Sequence, residues 1–187
     1  GFIGVEFSDE LLKRGHEVTI VEKLPDILSL AFDVEISRKI SEILTQRGLI
    51  IITGNGIREI TGNKKVEGVR LENDELLNAD AVILSVGYKP NTDLARKSGL
   101  FIDEGGFIAV DEYMRTHMKD IFAVGDCAQK RDFVTRARVS TMLASTACAE
   151  ARIAGMNLFN LNVVKTFSGT IAIYSTAIGN TGFGTAG

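Results

Sequence analysis

Two glycines and one acidic residue near the start of the chain have the spacing of a dinucleotide-binding pattern. Gly1 and Gly4 correspond to the last two glycines of G-x-G-x-x-G, and Glu22 follows them at the distance that this pattern requires. A glycine at the first position allows a pyrophosphate to approach the N–H groups of a helix N-terminus. The second glycine allows close packing of that helix on a sheet, while the acid accepts hydrogen bonds from ribose hydroxyls.

The carboxylate of Glu22 repels a 2′-phosphate, so the pattern predicts a preference for NADH over NADPH that the neighbouring Lys23 weakens. Glu6 lies on the same predicted helix, where it is either a solvated acid favoured by the helix dipole or a residue directed toward the nicotinamide. The alternative is that the two glycines occur by chance and that Glu22 caps a strand at the surface. The order of helix, strand and acid favours a dinucleotide site.

Two later apolar runs end in glycine and predict further ligand-binding positions. Gly87 closes "AVILSVG", and Asp126 follows "IFAVG". Ligands of open α/β sheets bind at the carboxyl ends of the strands, and a carboxylate there can accept a hydrogen bond from a polyol hydroxyl. The alternatives are an ordinary connection at Gly87 and a cap at Asp126.

The remaining reactive side chains predict no catalytic or metal site. Cys127 has no second cysteine or histidine nearby, and Cys148 is expected to be a small buried residue in an alanine-rich helix. His16 and His117 are isolated and show no metal-ligand spacing.

The elements that position these residues alternate between helices and strands. The first helix is expected at 2–14, with Ile3, Phe7, Leu11 and Leu12 on its buried face, and the second after Asp33, with Ile36, Ile40, Ile43 and Leu44 buried. Further predictions are buried strands at 17–22, 49–53, 81–87 and 121–124, a meander at 56–61, 66–71 and 76–77, a hairpin around 105–106, a helix at 140–156 and one strand at 170–174 before a glycine-rich end. This order predicts an α/β fold with a Rossmann-like domain and an antiparallel β-meander.

Composition narrows the possible functions. The 187 residues are 45% hydrophobic and carry a net charge of −3 with both signs dispersed, which argues against a nucleic-acid partner. No apolar run reaches the roughly 18–20 residues of a membrane helix. Two isolated cysteines fit a reducing, cytoplasmic location.

Three motifs together resemble a known family. "GFIGVEFSDELLKRGHEVTIVEK", "AVILSVGYKPNTDLA" and "DIFAVGDCA" are similar, in this order and at these separations, to the FAD-dependent pyridine nucleotide-disulfide oxidoreductases. The branch that the chain resembles contains NADH oxidases, NADH peroxidases and coenzyme A-disulfide reductases. The chain thus looks like an internal fragment that begins inside the NAD fingerprint.

The resemblance implies FAD and NAD(H) as cofactors and assigns residues to each. Gly1, Gly4 and Glu22 would hold NADH, Gly87 would line the dinucleotide, and Glu6 would approach the nicotinamide. Asp126 would bind the FAD ribityl chain or the pyrophosphate side, and the backbone of Leu143 and Ala144 would approach the flavin. No catalytic residue is expected within the chain, because the family's redox cysteine would precede it.

The resemblance also implies a division into domains and a function. Residues 1–92 would form the NAD-binding domain without its first strand, 93–165 the C-terminal part of the FAD-binding domain, and 166–187 the start of an interface domain. The full-length protein would be a homodimer that transfers hydride from NADH to flavin and then electrons to oxygen, peroxide or a small disulfide. The alternatives are the reductase component of an electron-transfer chain, similar to a ferredoxin or rubredoxin reductase, and a non-catalytic nucleotide-binding module. The fragment alone is expected to be inactive and to bind NADH weakly at best.

A central strand of the predicted NAD domain is absent from the sequence. Unpaired backbone groups at that position cost about 1–3 kcal/mol each when they are buried. We expect upstream residues, a partner chain or the strand at 170–174 to pair there.

Overall fold

The computed structural model describes residues 1–160 and 166–186, which form two compact units. The first unit contains residues 1–87 and 173–185, and the second contains the described part of 88–172 together with residue 186. The predicted division at residues 92 and 165 refers to domains of a longer enzyme and stays a prediction. Two parts of the chain lie outside the described residues: 161–165, at the end of the predicted FAD-binding part, and 187, the last residue of the predicted interface segment.

The first unit begins with the predicted alternation of helices and strands. Helix α1 spans Phe2–Lys13, strand β1 Thr19–Val21, helix α2 Val34–Gln46 and strand β2 Ile50–Ile52. Strands β1 and β2 pair in parallel, with Thr19 opposite Ile50 and Val21 opposite Ile52. The β-branched and apolar run of each strand suits a parallel pair flanked by helices. The predicted α/β class is therefore confirmed.

The buried face of α1 differs from the prediction. Ile3 and Phe7 are 57% and 53% exposed, whereas Val5, Ser8 and Asp9 are buried. On α2, Ile40 and Leu44 are fully buried as expected, but Ile36 is 40% exposed. The core of this unit consists of Val5, Ile27, Leu28, Phe32, Ile40, Leu44, Leu49 and Ile178. The helices therefore pack partly on the connection after β1 and on the C-terminal end of the chain.

The predicted antiparallel meander is confirmed. Strands β3 at Ile57–Thr61, β4 at Gly68–Leu71 and β5 at Leu76–Asn78 form a three-stranded sheet in the order β3-β4-β5. Short turns containing glycine, asparagine and aspartate join these strands, as expected for hairpins.

The predicted strand at 81–87 is wrong. This segment pairs with no strand in the part of the chain that the structure describes, and strand β1 pairs there only with β2. Its apolar side chains lie largely in solvent, with Leu84 at 61% and Val86 at 86% exposure. A strand of a parallel sheet needs a hydrogen-bonding neighbour, and an apolar composition alone does not supply one.

The end of the chain forms a hairpin that the sequence did not indicate. Strand β8 spans Ile173–Ile178 and strand β9 spans Thr181–Ala186, and the two form a separate sheet. Gly179 opens the two-residue turn at φ +58°, a conformation that glycine adopts without strain. The predicted strand at 170–174 is therefore misplaced, and it does not pair with β1. Thr170 instead forms an isolated bridge with Asp132 in the second unit.

The second unit is poorer in regular structure. It contains helix α3 at Asp93–Lys97, a 3₁₀ turn at Gly125–Cys127, the short pair β6 at Lys130–Arg131 and β7 at Arg138–Val139, and helix α4 at Ala144–Met156. The predicted strand at 121–124 is wrong, because Phe122 makes only an isolated bridge to Arg115. The predicted hairpin around 105–106 is reduced to one antiparallel bridge between Ile102 and Ile108.

Candidate functional site

The N-terminus of α1 lies next to the acid that follows β1. The backbone N–H of Glu22 donates to the carbonyl of Ile52 at 2.8 Å, which fixes Glu22 at the end of the parallel pair. Its Oε2 lies 3.8 Å from the nitrogen of Gly1, while its Oε1 accepts a hydrogen bond from the Leu24 N–H at 3.0 Å. The structure thus brings Gly1 and Glu22 together, as the spacing predicts.

The tip of α1 has the properties that a diphosphate requires. No side chain caps the helix, and its first turn contains no acidic residue. A Cβ at Gly1 would meet no atom of the described residues within 4 Å, so none of them covers the tip. Free N–H groups and the helix dipole favour an anion at such a place. The residues present therefore fit the diphosphate of a dinucleotide.

Gly4 lies in close contact with the segment that follows the meander. A Cβ at Gly4 would lie 3.3 Å from the Cβ of Ser85, which is tighter than most such contacts. The Oγ of Ser85 is buried and has no hydrogen-bond partner in the described residues. Gly4 thereby allows α1 to lie directly against the segment at 81–87. Gly87 ends that segment at φ +86°, with open space around it, so a side chain there would be strained but would not collide.

Lys23 is engaged with the meander rather than free beside Glu22. Its Nζ lies 3.0 Å from Oε1 of Glu72, in an exposed ion pair.

Glu6 follows Gly4 by two residues on α1 and contacts the C-terminal hairpin. The hydroxyl of Thr176 donates to Oε1 of Glu6 at 3.0 Å. Glu6 itself is exposed, whereas Thr176 is 6% exposed. Sequence reasoning missed Thr176, because the hairpin that carries it lacks the alternation of apolar and polar residues that indicates a strand.

The predicted FAD residues lie in the second unit, at a turn and at the start of a helix. Asp126 is exposed within the 3₁₀ turn at Gly125–Cys127, and Gly125 adopts φ +79° there. Leu143 is the N-cap residue of α4 and Ala144 is its first residue, with no side-chain cap. A Cβ at Gly125 would lie 3.7 Å from the Cβ of Ala147, so the turn packs on the first turns of α4. The structure therefore brings Asp126 and the start of α4 into one neighbourhood.

A buried ion pair supports this turn, and sequence reasoning missed it. Lys130 and Glu150 are both fully buried, with Lys130 Nζ 3.5 Å from Glu150 Oε1. Lys130 Nζ donates to the carbonyls of Gly125 at 2.5 Å and Ala128 at 3.1 Å. Oε2 of Glu150 accepts the Gly125 N–H at 2.7 Å. A lone carboxylate among the small residues of α4 was the available signal.

Burial raises the pKa of Glu150 above its ordinary value, and the charge of Asp126 adds to the rise. The charge of Lys130 and the hydrogen bond from the Gly125 N–H oppose it, but the net direction is upward. The pair therefore consists of two desolvated groups that depend on each other and on the turn above them.

The two cysteines differ in their exposure to solvent. Cys127 is half-buried and donates weakly to the Val124 carbonyl at 3.4 Å. Cys148 is exposed, so its expected role as a buried filler is wrong. Across residues 1–160 and 166–186, no group of acidic, histidine or cysteine side chains could hold a metal ion. No helix in these ranges has the length and apolarity to cross a membrane.

The sequence of this chain is similar to those of several known oxidoreductases. The chain is 32% identical over 158 residues to an NADH oxidase of Methanocaldococcus jannaschii, and this match covers 84% of the chain and 35% of that protein. It is 32% identical over 161 residues to a rhodocoxin reductase of Rhodococcus erythropolis, covering 83% of the chain and 37% of that protein. The chain thus spans about a third of the length of these relatives.

A solved structure matches the whole chain. The crystal structure of an FAD-dependent pyridine nucleotide-disulphide oxidoreductase from Desulfovibrio vulgaris superposes with a TM-score of 0.91 at 33% identity, covering 100% of this chain and 47% of that one. These relatives support FAD and NAD(H), the cofactors that the sequence predicts. The family model described as pyridine nucleotide-disulphide oxidoreductase matches residues 1–151. The chain belongs to the pyridine nucleotide-disulphide oxidoreductase family.

Proposed function

We propose that this chain is the NAD(H)-binding part, with a segment of the FAD-binding part, of an FAD-dependent NADH oxidoreductase. The observation that carries the proposal is the uncapped tip of α1, which opens beside Glu22 with 3.8 Å between the Gly1 nitrogen and Oε2. An open helix tip and a ribose-binding acid at this separation fit one adenosine diphosphate moiety. Family membership supports the same assignment.

Each candidate residue of the first unit would have its own role in binding the dinucleotide. The N–H groups after Gly1 would hold the diphosphate, and Glu22 would accept hydrogen bonds from the ribose hydroxyls. Gly4 keeps α1 close to the segment at 81–87, and Gly87 leaves its end open for the cofactor. Glu6 would approach the nicotinamide. These residues bind and orient, and none of them transfers a proton or an electron.

The second unit would contribute to the flavin site. Asp126 would accept a hydrogen bond from the ribityl chain or lie on the pyrophosphate side, and the uncapped backbone at Leu143 and Ala144 would approach the flavin. When both cofactors are bound, the pair supplies hydride transfer from NADH to the flavin. No residue of this chain is assigned to that step.

We propose a small molecule as the electron acceptor of the longer protein: oxygen, peroxide or a small disulfide. The similarity to an NADH oxidase supports this choice. The similarity to a rhodocoxin reductase supports the second candidate, a reductase component that passes electrons to a carrier protein. The division into NAD, FAD and interface domains, a homodimer and a cytoplasmic location belong to the same proposal for the longer protein.

Titration of the 187-residue chain with NADH, followed by NMR, tests the proposal. We expect weak binding that shifts the amide signals of Phe2, Ile3, Gly4 and Glu22. Shifts confined to other regions, or none at millimolar NADH, would contradict the site. In the same samples we expect no flavin-supported consumption of NADH, because these 187 residues correspond to about a third of the length of the relatives. Turnover by the 187 residues alone would refute that expectation.

A further inference from the structure

The C-terminal hairpin follows one stripe of α1 through three consecutive contacts. Tyr174 stacks on Phe2 with ring centroids 5.4 Å apart, Thr176 donates to Glu6 at 3.0 Å, and the Gly179 N–H donates to Asp9 Oδ2 at 3.4 Å. Residues 2, 6 and 9 lie on one face of a helix, because a turn takes 3.6 residues. Two strand residues advance about as far as one helical turn. The contacts at Tyr174 and Thr176 therefore match α1 in register, while Gly179 lies in the turn that follows β8.

The two outer contacts, Tyr174 with Phe2 and Gly179 with Asp9, attach the hairpin to α1 independently of Thr176. Ile178 of β8 is fully buried in the core of the first unit, and Phe2 also packs edge-on against Phe32. Asp9, which receives the Gly179 N–H, is itself paired with Arg47 and Lys13. Apolar burial and this ion-pair cluster supply the attachment, so the middle contact is available for another purpose.

The middle contact restrains a carboxylate that is otherwise exposed. Thr176 is buried, so its hydroxyl has a fixed position and finds its acceptor in Oε1 of Glu6. Among the described residues, Thr176 is the only hydrogen-bond donor to this carboxylate. An unrestrained glutamate on a helix surface samples several rotamers, and a hydrogen bond to one oxygen selects among them. The other oxygen, Oε2, stays available as an acceptor.

We propose that Thr176 is a positioning residue for the nicotinamide end of the site. It holds Glu6 so that Oε2 accepts a hydrogen bond from the carboxamide N–H₂ of the nicotinamide. This inference rests on the proposed function, in which Glu6 approaches that ring. It makes the C-terminal hairpin, rather than the helix and sheet alone, a determinant of how the reduced nicotinamide is held.

Comparing NADH with ADP-ribose in calorimetric titrations of the 187-residue chain tests the inference, because ADP-ribose lacks the nicotinamide. We expect the wild type to bind NADH more tightly than ADP-ribose. Thr176→Val should weaken NADH binding about 10-fold, the effect of losing one hydrogen bond to a charged group, and leave ADP-ribose binding unchanged. Thr176→Ser should restore NADH binding. Thr181→Val, the same change at an exposed position of β9, is the matched control.

A double-mutant cycle identifies the path of the effect. Glu6→Gln should also weaken NADH selectively, and Thr176→Val should add little to Glu6→Gln if the threonine acts through the carboxylate. Full additivity of the two changes would overturn the inference.

The remaining outcomes separate the inference from the proposed function. Equal loss of NADH and ADP-ribose binding in Thr176→Val would show a structural role of the hairpin, which overturns the inference and leaves the site intact. Unchanged NADH binding in that variant would overturn it as well. A wild type that binds neither ligand would refute the proposed function and the inference with it.

Discussion

In the proposed site, Glu22 is the residue whose charge would decide which dinucleotide is accepted. Its carboxylate lies beside the tip of α1, and a 2′-phosphate on the adenosine ribose would meet it directly. We expect Glu22→Gln to weaken NADH binding about 10-fold and to leave NADPH binding unchanged or improved, so that the preference between the two falls. Parallel titrations with both dinucleotides measure this. Glu17→Gln, at an exposed position before β1, is the control, and an unchanged preference in Glu22→Gln would contradict the role of Glu22.

Lys130 shows how one buried charge can hold a turn. Its ammonium contacts Glu150 and the carbonyls of Gly125 and Ala128. The side chains of Lys130 and Glu150 are both buried from solvent. Removing one partner of a buried pair leaves the other charge uncompensated, so we expect Lys130→Met to lower the free energy of unfolding by about 3–5 kcal/mol. Urea denaturation measures the change. Lys97→Met, an exposed substitution on α3, should have little effect, and a similar result for both variants would refute the importance of the pair.

Most individual residues of the candidate site could be predicted from the sequence. The spacing of Gly1, Gly4 and Glu22 reports a local geometry of helix, strand and acid, and the structure reproduces that geometry within one unit. Lys130, Glu150 and Thr176 could not be predicted, because their partners lie 20 or more positions away in the chain. Ion pairs and hydrogen bonds at such separations depend on packing that no local pattern encodes.

At the scale of elements, the clearest error of sequence reasoning concerns α1. Its apolar residues were expected to face the core, yet Ile3 and Phe7 are exposed, while the acidic Asp9 is 2% exposed. The buried carboxylate is tolerated because Arg47, Lys13 and the Gly179 N–H surround it. Helical periodicity locates the helix correctly, but the direction of its buried face follows from α2 and the hairpin, which pack on another side.

The cluster around Asp9 makes attachment of the hairpin sensitive to pH. Burial alone would raise the pKa of Asp9, but hydrogen bonds from Lys13 and Gly179 and the charges of Arg47 and Lys13 outweigh it, so the pKa lies below its ordinary value. A carboxyl whose pKa is depressed in the folded state stabilises the fold above the unfolded pKa of about 3.9. That contribution is lost as pH falls through the folded pKa.

We therefore expect Asp9→Asn to lower the free energy of unfolding by about 2 kcal/mol at neutral pH. The difference from wild type should shrink as pH falls below about 4, where the carboxyl of the wild type becomes protonated. Denaturation at a series of pH values measures this, with Asp33→Asn, an exposed N-cap position of α2, as the control. A difference that stays constant from neutral pH to pH 2 would contradict the role of the charge.

At the scale of the whole molecule, the chain spans 35% of the Methanocaldococcus jannaschii NADH oxidase and 47% of the Desulfovibrio vulgaris oxidoreductase. Its parallel sheet has two strands, β1 and β2, and the expected neighbour at 81–87 joins no ladder in the described residues. The C-terminal strand pairs with β9, so it is not the segment that completes the sheet. Upstream residues or a partner chain remain the predicted occupants of the missing central strand position.

The uncovered segment at 81–87 also affects how the purified chain behaves in solution. It combines a backbone that joins no sheet among the described residues with exposed β-branched and apolar side chains, the combination through which one polypeptide pairs with another copy of itself. A net charge of −3 provides little repulsion between molecules. We expect oligomers to accumulate as concentration rises, and Val86→Lys to suppress them in light-scattering measurements. Equal scattering by both forms would mean that another surface limits solubility.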